Sequence, residues 1–226
     1  MTGTEIEFKF KVADEEALDG FARALGMDRR QLGAKLQRNT FFDSRDRRLR
    51  ERGLALRLRV EDGQGTLTIK GKGVARSGDG ALHQRFEAEQ PLAATELESL
   101  LAGSRSPLAC FEASADEHVA RGRSMIEDAL GGADLECLGS FENERTTLDE
   151  VELDCGGRLE RIVFELDRTS FPHGRVDCEI EAEIGPECDA RRVGERITRL
   201  LADAGIEWTS APSKLQRFVE ILEQRR

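Results

Sequence analysis

The sequence has no tyrosine, one tryptophan and three histidines among its 226 residues. His83, His118 and His173 are scattered, and no H-E-x-x-H or other zinc-ligand spacing occurs. A zinc centre is therefore not expected. Bases are also in deficit: 34 Lys and Arg stand against 44 Asp and Glu, a formal net charge of -10. That balance disfavours wrapping nucleic acid or an anionic membrane. No apolar run reaches membrane-spanning length, and the start lacks the basic-then-apolar pattern of a signal peptide. A cytoplasmic protein is expected. The five cysteines (Cys110, Cys137, Cys155, Cys178 and Cys188) are odd in number and form no C-x-x-C pair. They read as reduced, structural thiols. There is no low-complexity tract and no solenoid period. Gly71-Lys72-Gly73 is not a P-loop, because no hydroxyl follows the lysine and no helix opens there.

What is present is alternation. In Glu5-Ile6-Glu7-Phe8-Lys9-Phe10-Lys11, the apolar residues point one way and the charged ones the other, the period of a β-strand. Gly53 to Glu61 repeats the pattern, with Leu54, Leu56, Leu58 and Val60 opposite Arg57 and Arg59. Asp62-Gly63 then signals a hairpin turn, and Thr66 to Lys72 returns with Lys70 and Lys72 in phase with two threonines. His83 to Glu89 places Arg85, Glu87 and Glu89 together. Further strands are expected over Gln37–Asp43, Leu138–Leu153, Arg158–Arg168 and Arg175–Ile184, the last opposing Cys178 and Ile180 to Asp177, Glu179, Glu181 and Glu183. Helices are expected from Asp14, a plausible N-cap, to Leu25-Gly26, and over residues 94–102, 116–130, 189–204 and 213–224. Gly73 to Gly80 reads as a flexible loop. Arg45 to Arg50 reads as a solvated basic bend, and Trp208 as a packing residue.

About eight strands suffice to close a barrel with room for one small ligand. The resulting fold class is α+β: a closed eight-stranded antiparallel β-barrel with helices packed outside. The charged phases then face inward, and bare like charges about 4 Å apart repel by roughly 4 kcal/mol at an effective dielectric near 20. Such a lining needs counter-charge. Carboxylates two apart on a strand lie about 6.6 Å apart at Cα, close enough for two flexible side chains to converge on a hard divalent cation. Arginine and lysine suit phosphate oxygens. Metal plus polyanion is the combination that phosphoryl transfer uses.

Glu5-x-Glu7-x-Lys9 resembles the signature of the CYTH domain, the triphosphate tunnel metalloenzyme family. Phe41-Phe42-Asp43, Leu56-Arg57-Leu58-Arg59, Thr66 to Lys70, Arg85 to Glu89, Arg145, Leu166-Asp167, Glu179-Ile180-Glu181 and Ser213-Lys214 continue the resemblance in order, over nearly the whole chain. It implies a single tunnel domain spanning residues 1–226. It implies that Glu5, Glu7, Asp167, Glu179 and Glu181 hold magnesium or manganese. Lys9, Arg57, Arg59, Lys70, Arg85, Arg145 and Lys214 would hold the triphosphate. Glu7 and Lys9 are the candidate catalytic residues, Lys9 as a proton carrier if neighbouring bases depress its pKa. Lys11, Lys72, Glu87, Glu89 and Glu183 share the charged phase without an assigned role.

The expected activity is metal-dependent hydrolysis of a small triphosphate, inorganic tripolyphosphate first, by a monomer or homodimer that binds neither nucleic acid nor membrane. The family also includes thiamine triphosphatases and class IV adenylate cyclases, and a non-catalytic polyphosphate- or nucleotide-binding module is the remaining alternative. Thiamine would want an aromatic platform. Aromatics are only 5% of the chain, and Phe8, Phe10 and Phe164 lie on the apolar phase. Phe41, Phe42 and Phe171 remain as candidates.

Overall fold

The structure, a computed structural model, describes residues 4–72, 74–75, 81–112, 114–210 and 212–224. In chain order the elements are β1 (Thr4–Val12), α1 (Glu15–Ala24), α2 (Arg29–Leu32), β2 (Lys35–Asp43), α3 (Arg48–Glu51), β3 (Ala55–Glu61), β4 (Gln64–Lys70), β5 (Val74–Ala75), β6 (Leu82–Pro91), α4 (Ala94–Leu101), α5 (Glu117–Leu130), β7 (Glu136–Asp154), β8 (Leu159–Ser170), β9 (Val176–Glu183), α6 (Ala190–Asp203), β10 (Trp208–Thr209) and α7 (Lys214–Glu223). The strand order is β10-β1-β9-β8-β7-β2-β3-β4-β6-β5, and β1 also pairs with β6. That last pairing closes β1, β9, β8, β7, β2, β3, β4 and β6 into an eight-stranded antiparallel barrel.

The backbone divides into two interleaved compact units. One holds residues 1–5, 37–73 and 85–141, the other residues 6–36, 74–84 and 142–226. Each has its own apolar core. In the first, Leu56, Leu58, Leu67 and Ile69 from the β3–β4 hairpin meet Val119, Ile126 and Leu130 of α5. Asp62 and Gly63 turn that hairpin with positive φ at both residues, the geometry Asp-Gly favours. α5 is capped by Asp116, which accepts from the His118 and Val119 N–H groups, and stops at left-handed Gly131.

In the second unit, Phe8, Phe10, Phe164, Leu166, Cys178 and Ile180 form the apolar face of β1, β8 and β9. Val193, Ile197, Leu200 and Leu201 of α6 share that core. Their i, i+4, i+7, i+8 spacing puts them on one stripe of the helix. Trp208 meets Phe10 edge-on, with ring centroids 4.8 Å apart, as expected of a packing residue. All five cysteines are free thiols, and Cys110, Cys155 and Cys178 are buried.

Several expectations change in detail. The basic run at 45–50 contains the short helix α3, fixed because Asp43 accepts hydrogen bonds from the N–H groups of Ser44, Leu49 and Arg50. Gly73 and residues 76–80, most of the expected loop, lie outside the described residues, while Val74–Ala75 forms β5 against Gln84 and His83. β7 is one strand of 19 residues whose register with β8 shifts between Leu148 and Val151.

Phe164 is fully buried and edge-on to Phe21 at 5.1 Å. Phe164→Ala should lower unfolding stability by about 3–5 kcal/mol, read as a fall in the urea midpoint. A loss under about 1 kcal/mol would mean that this core is not closely packed.

Candidate functional site

Register builds the site before any side-chain contact does. Across β7, β8, β9 and β1, Thr147, Glu165, Glu181 and Lys9 form one row, and Arg145, Asp167, Glu179 and Lys11 form the next. A third row carries Asn143, Thr169 and Asp177. Strict pleat alternation puts all of these side chains on the face opposite the apolar core. Two of the cross-strand pairs, Glu165 with Glu181 and Asp167 with Glu179, are acid against acid, which is destabilising without counter-charge.

The counter-charge comes from Arg217, described below, and from three further cations. Lys9 Nζ lies 2.5 Å from Glu181 Oε1 and 2.9 Å from Glu7 Oε2. Arg145 donates from Nε to Asp167 Oδ1 at 2.8 Å, and from Nη2 to Asp167 Oδ2 at 2.6 Å and Glu181 Oε2 at 2.9 Å, while Nη1 pairs with Glu165. Lys214 Nζ reaches Glu181 at 2.7 Å, Asp167 at 2.8 Å and Glu179 at 3.1 Å. Lys214 can do this because it is the first residue of α7. The Ser213 side chain accepts from the Gln216 N–H there and fixes where the helix begins.

Burial makes these charges consequential: Asp167 is 0% and Glu179 1% exposed. Burial alone would raise the Asp167 pKa, but Arg145 and Lys214 overcome it and hold the carboxyl at about 2. Glu181 is held well below the usual carboxylate range, with Lys214, Lys9 and Arg145 overcoming its burial. Lys214 shifts upward: burial opposes the charge, and Asp167, Glu179 and Glu181 prevail. Glu165 goes the other way, raised to about 7 mainly by burial, against the pull of Arg145.

The second cluster lies in the other unit. Lys70 contacts Glu5 at 3.1 Å and Glu87 at 3.0 Å, and Arg85 Nε contacts Glu5 at 2.6 Å. Arg57 donates to Thr68 Oγ1, and Arg59 approaches Glu89 at 3.5 Å. Burial raises the Glu87 carboxyl to about 7, against the charge of Lys70. Lys72 is exposed.

Of the expected site residues, Glu7, Lys9, Arg145, Asp167, Glu179, Glu181 and Lys214 come together in one cluster, and Glu5, Arg57, Arg59, Lys70 and Arg85 in the other. Arg145 sits among acids because it is directly opposite Asp167, and Glu5 sits against bases. The two contacts described for Lys9 are to acids, not to the bases invoked for a proton carrier. Sequence reasoning passed over Arg217 and Asn143. Arg217 lies one helical turn after Lys214 and donates to Asp177 at 2.8 Å and Glu179 at 2.6 Å. Asn143 donates to Asp167 and accepts from Thr169. The available signals were the i, i+3 basic pair on the tail helix and the period of two from Arg145.

Among the described residues, no three His, Cys, Asp or Glu side chains stand as a metal-holding group. The donor chemistry nonetheless fits a hard cation. Glu7, Asp167, Glu179 and Glu181 are all oxygen donors, and Glu179 Oε1 is buried with no hydrogen-bond partner among the described residues. Lys9 and Lys214 hold the remaining positions between the carboxylates. A divalent cation would compete with two ammonium groups for the same oxygens.

The CYTH domain family model matches residues 3–219. The chain belongs to the CYTH family. A solved relative from Hippeastrum, HpAC1, named for adenylyl cyclase and described as having a dominant triphosphatase activity, is 25% identical with a TM-score of 0.74, over 96% of this chain and 95% of that one. A Bacillus halodurans protein named as an adenylate cyclase is 24% identical with a TM-score of 0.63, over 96% and 99%; this likeness concerns the fold. Mediator of DNA damage checkpoint protein 1 of Macaca mulatta is 42% identical over 81 residues, 34% of this chain. The chain spans 4% of the length of that curated protein, too little to bear on a CYTH domain's function.

Lys214→Met should leave three buried carboxylates short of a cation and cost about 3–5 kcal/mol at neutral pH. The sign with pH follows from the depressed carboxyls. Their contribution is full above the unfolded pKa of 3.8 and is lost as pH falls through about 2. The gap between parent and variant in urea unfolding should therefore narrow as pH drops below about 4. A gap that widened in acid would contradict this account of the cluster.

Proposed function

We propose that this CYTH chain hydrolyses a small triphosphate, inorganic tripolyphosphate first, with magnesium or manganese. The observation that carries the reading is the buried Glu179 Oε1, without a hydrogen-bond partner among the described residues, in the charge cluster where Lys214 also meets Asp167 and Glu181. Glu7, Asp167, Glu179 and Glu181 would hold the metal. Lys9, Arg145 and Lys214 balance the acids in its absence and would turn their donors to phosphate oxygens when substrate enters. When bound, the divalent cation would supply positive charge to the transferring phosphoryl group and make water a better nucleophile. Arg57, Arg59, Lys70 and Arg85 are proposed as further phosphate-binding residues on the family resemblance.

Tripolyphosphate needs no organic pocket, and the aromatic positions support that choice. Phe41 is buried and stacked on Phe141, and Phe171 is buried beneath the Arg217 guanidinium. Neither is free to receive a thiazolium or pyrimidine ring. Cyclisation of ATP is the second reading, favoured by the adenylyl cyclase name that the Hippeastrum relative carries.

The test is phosphate release from tripolyphosphate, ATP and thiamine triphosphate, with and without magnesium. Tripolyphosphate should be cleaved only with metal. Glu7→Gln should lower the rate by at least about 100-fold, since one preorganised electrostatic group is worth about 2.7–4 kcal/mol in such sites. Release from no substrate would overturn the assignment, and cyclic AMP as the main product from ATP would establish the second reading.

A further inference from the structure

Arg217 touches no group that would meet a phosphate, yet it has one of the most constrained environments in the protein. Its side chain is 3% exposed. Nη1 donates to Asp177 Oδ2 at 2.8 Å and Nη2 to Glu179 Oε2 at 2.6 Å. The guanidinium carbon lies over the Phe171 ring, 5.6 Å from its centroid. Asp177 is itself held from the far side by Lys11 at 3.0 Å. The fork is thus fixed at both prongs and on one face, a geometry only a planar guanidinium satisfies.

The consequence lies in which oxygen is taken. Arg217 and Lys214, one turn apart on α7, both reach Glu179 Oε2, at 2.6 and 3.1 Å. Glu179 Oε1 is left buried and without a hydrogen-bond partner among the described residues. An orphaned carboxylate oxygen in the interior is costly, and both bases that reach Glu179 hold the opposite oxygen. We propose that Arg217 is a positioning residue that turns Glu179 so that Oε1 is presented to a divalent cation. This inference rests on the reading of the carboxylate cluster as the metal site.

The test is manganese binding to the metal-free protein without substrate, followed by the paramagnetic resonance signal of free manganese. Three proteins are compared: the parent, Arg217→Lys, and the double variant Arg217→Met with Asp177→Asn. Arg217→Lys keeps the charge but loses the fork. The double variant removes both members of the buried Arg217–Asp177 pair, while Glu179 keeps Lys214 and the part-exposed Lys11 can turn to water. Both should weaken manganese binding about 10- to 100-fold, the usual cost of losing a group that orients a ligand. In turnover, the manganese concentration for half-maximal rate should rise by the same factor, with the rate at saturating metal within about threefold of the parent. A purely structural role would lower that maximal rate and leave the metal dependence unmoved. Unchanged affinity in both variants would overturn the inference while leaving the metal site intact. Tighter binding would also overturn it, since Arg217 would then act by repelling the cation. No manganese binding by the parent would overturn the metal reading itself, and the inference with it.

Discussion

The arrangement depends on one buried charge balance. Glu181 and Asp167 accept from Lys9, Lys214 and Arg145 at 2.5 to 2.9 Å. Taking ions out of water costs several kcal/mol each and is offset only where geometry is close and every lone pair is met. Here the acids lie on adjacent strands, so no single base can neutralise them. Arg145 reaches three acids from β7, Lys9 reaches Glu7 and Glu181 from β1, and Lys214 reaches three from a helix. Stability and site are therefore the same set of contacts.

β9 concentrates this logic. Six consecutive residues from Asp177 to Ala182 are buried, which for an alternating strand means that both faces are covered. Cys178, Ile180 and Ala182 belong to the apolar core, and Asp177, Glu179 and Glu181 to the charge cluster. A one-residue slip would exchange the two sets, so the apolar packing beneath specifies which carboxylates meet which bases. Among the described residues, Glu179 Oε1 is the carboxylate oxygen of this cluster that is buried without a partner, and Arg217 Nε beside it is also unpaired. Such a buried oxygen is the kind of local exception that functional sites tolerate.

Strand phase was legible in the amino-acid order because it depends only on period. The charged faces of β1, β3, β8 and β9, the Asp-Gly hairpin and the α5 boundaries all follow from residues within a few positions of one another. Pairing was less legible. That the first strand lies beside β9 could be argued from closure, but that Lys9 faces Glu181 and Arg145 faces Asp167 depends on register, which local pattern leaves open. Arg217 was hidden for a different reason. A basic residue on an amphipathic tail helix ordinarily lies in solvent, and only tertiary placement over Phe171 and Asp177 buries it. The aromatic candidates likewise took their meaning from packing: Phe41 and Phe171 are covered, which composition alone cannot reveal.

The most direct measurement is thermal unfolding of the parent protein with magnesium alone, tripolyphosphate alone, and both together. A ligand that binds only the folded state at 100 times its dissociation constant adds about 2.7 kcal/mol. The account predicts that the two together raise the unfolding temperature by more than the sum of their separate effects, because metal and phosphate replace the internal counter-charges jointly. Additive or absent shifts would contradict it, and the buried charges would then be a structural network with no joint site for metal and triphosphate.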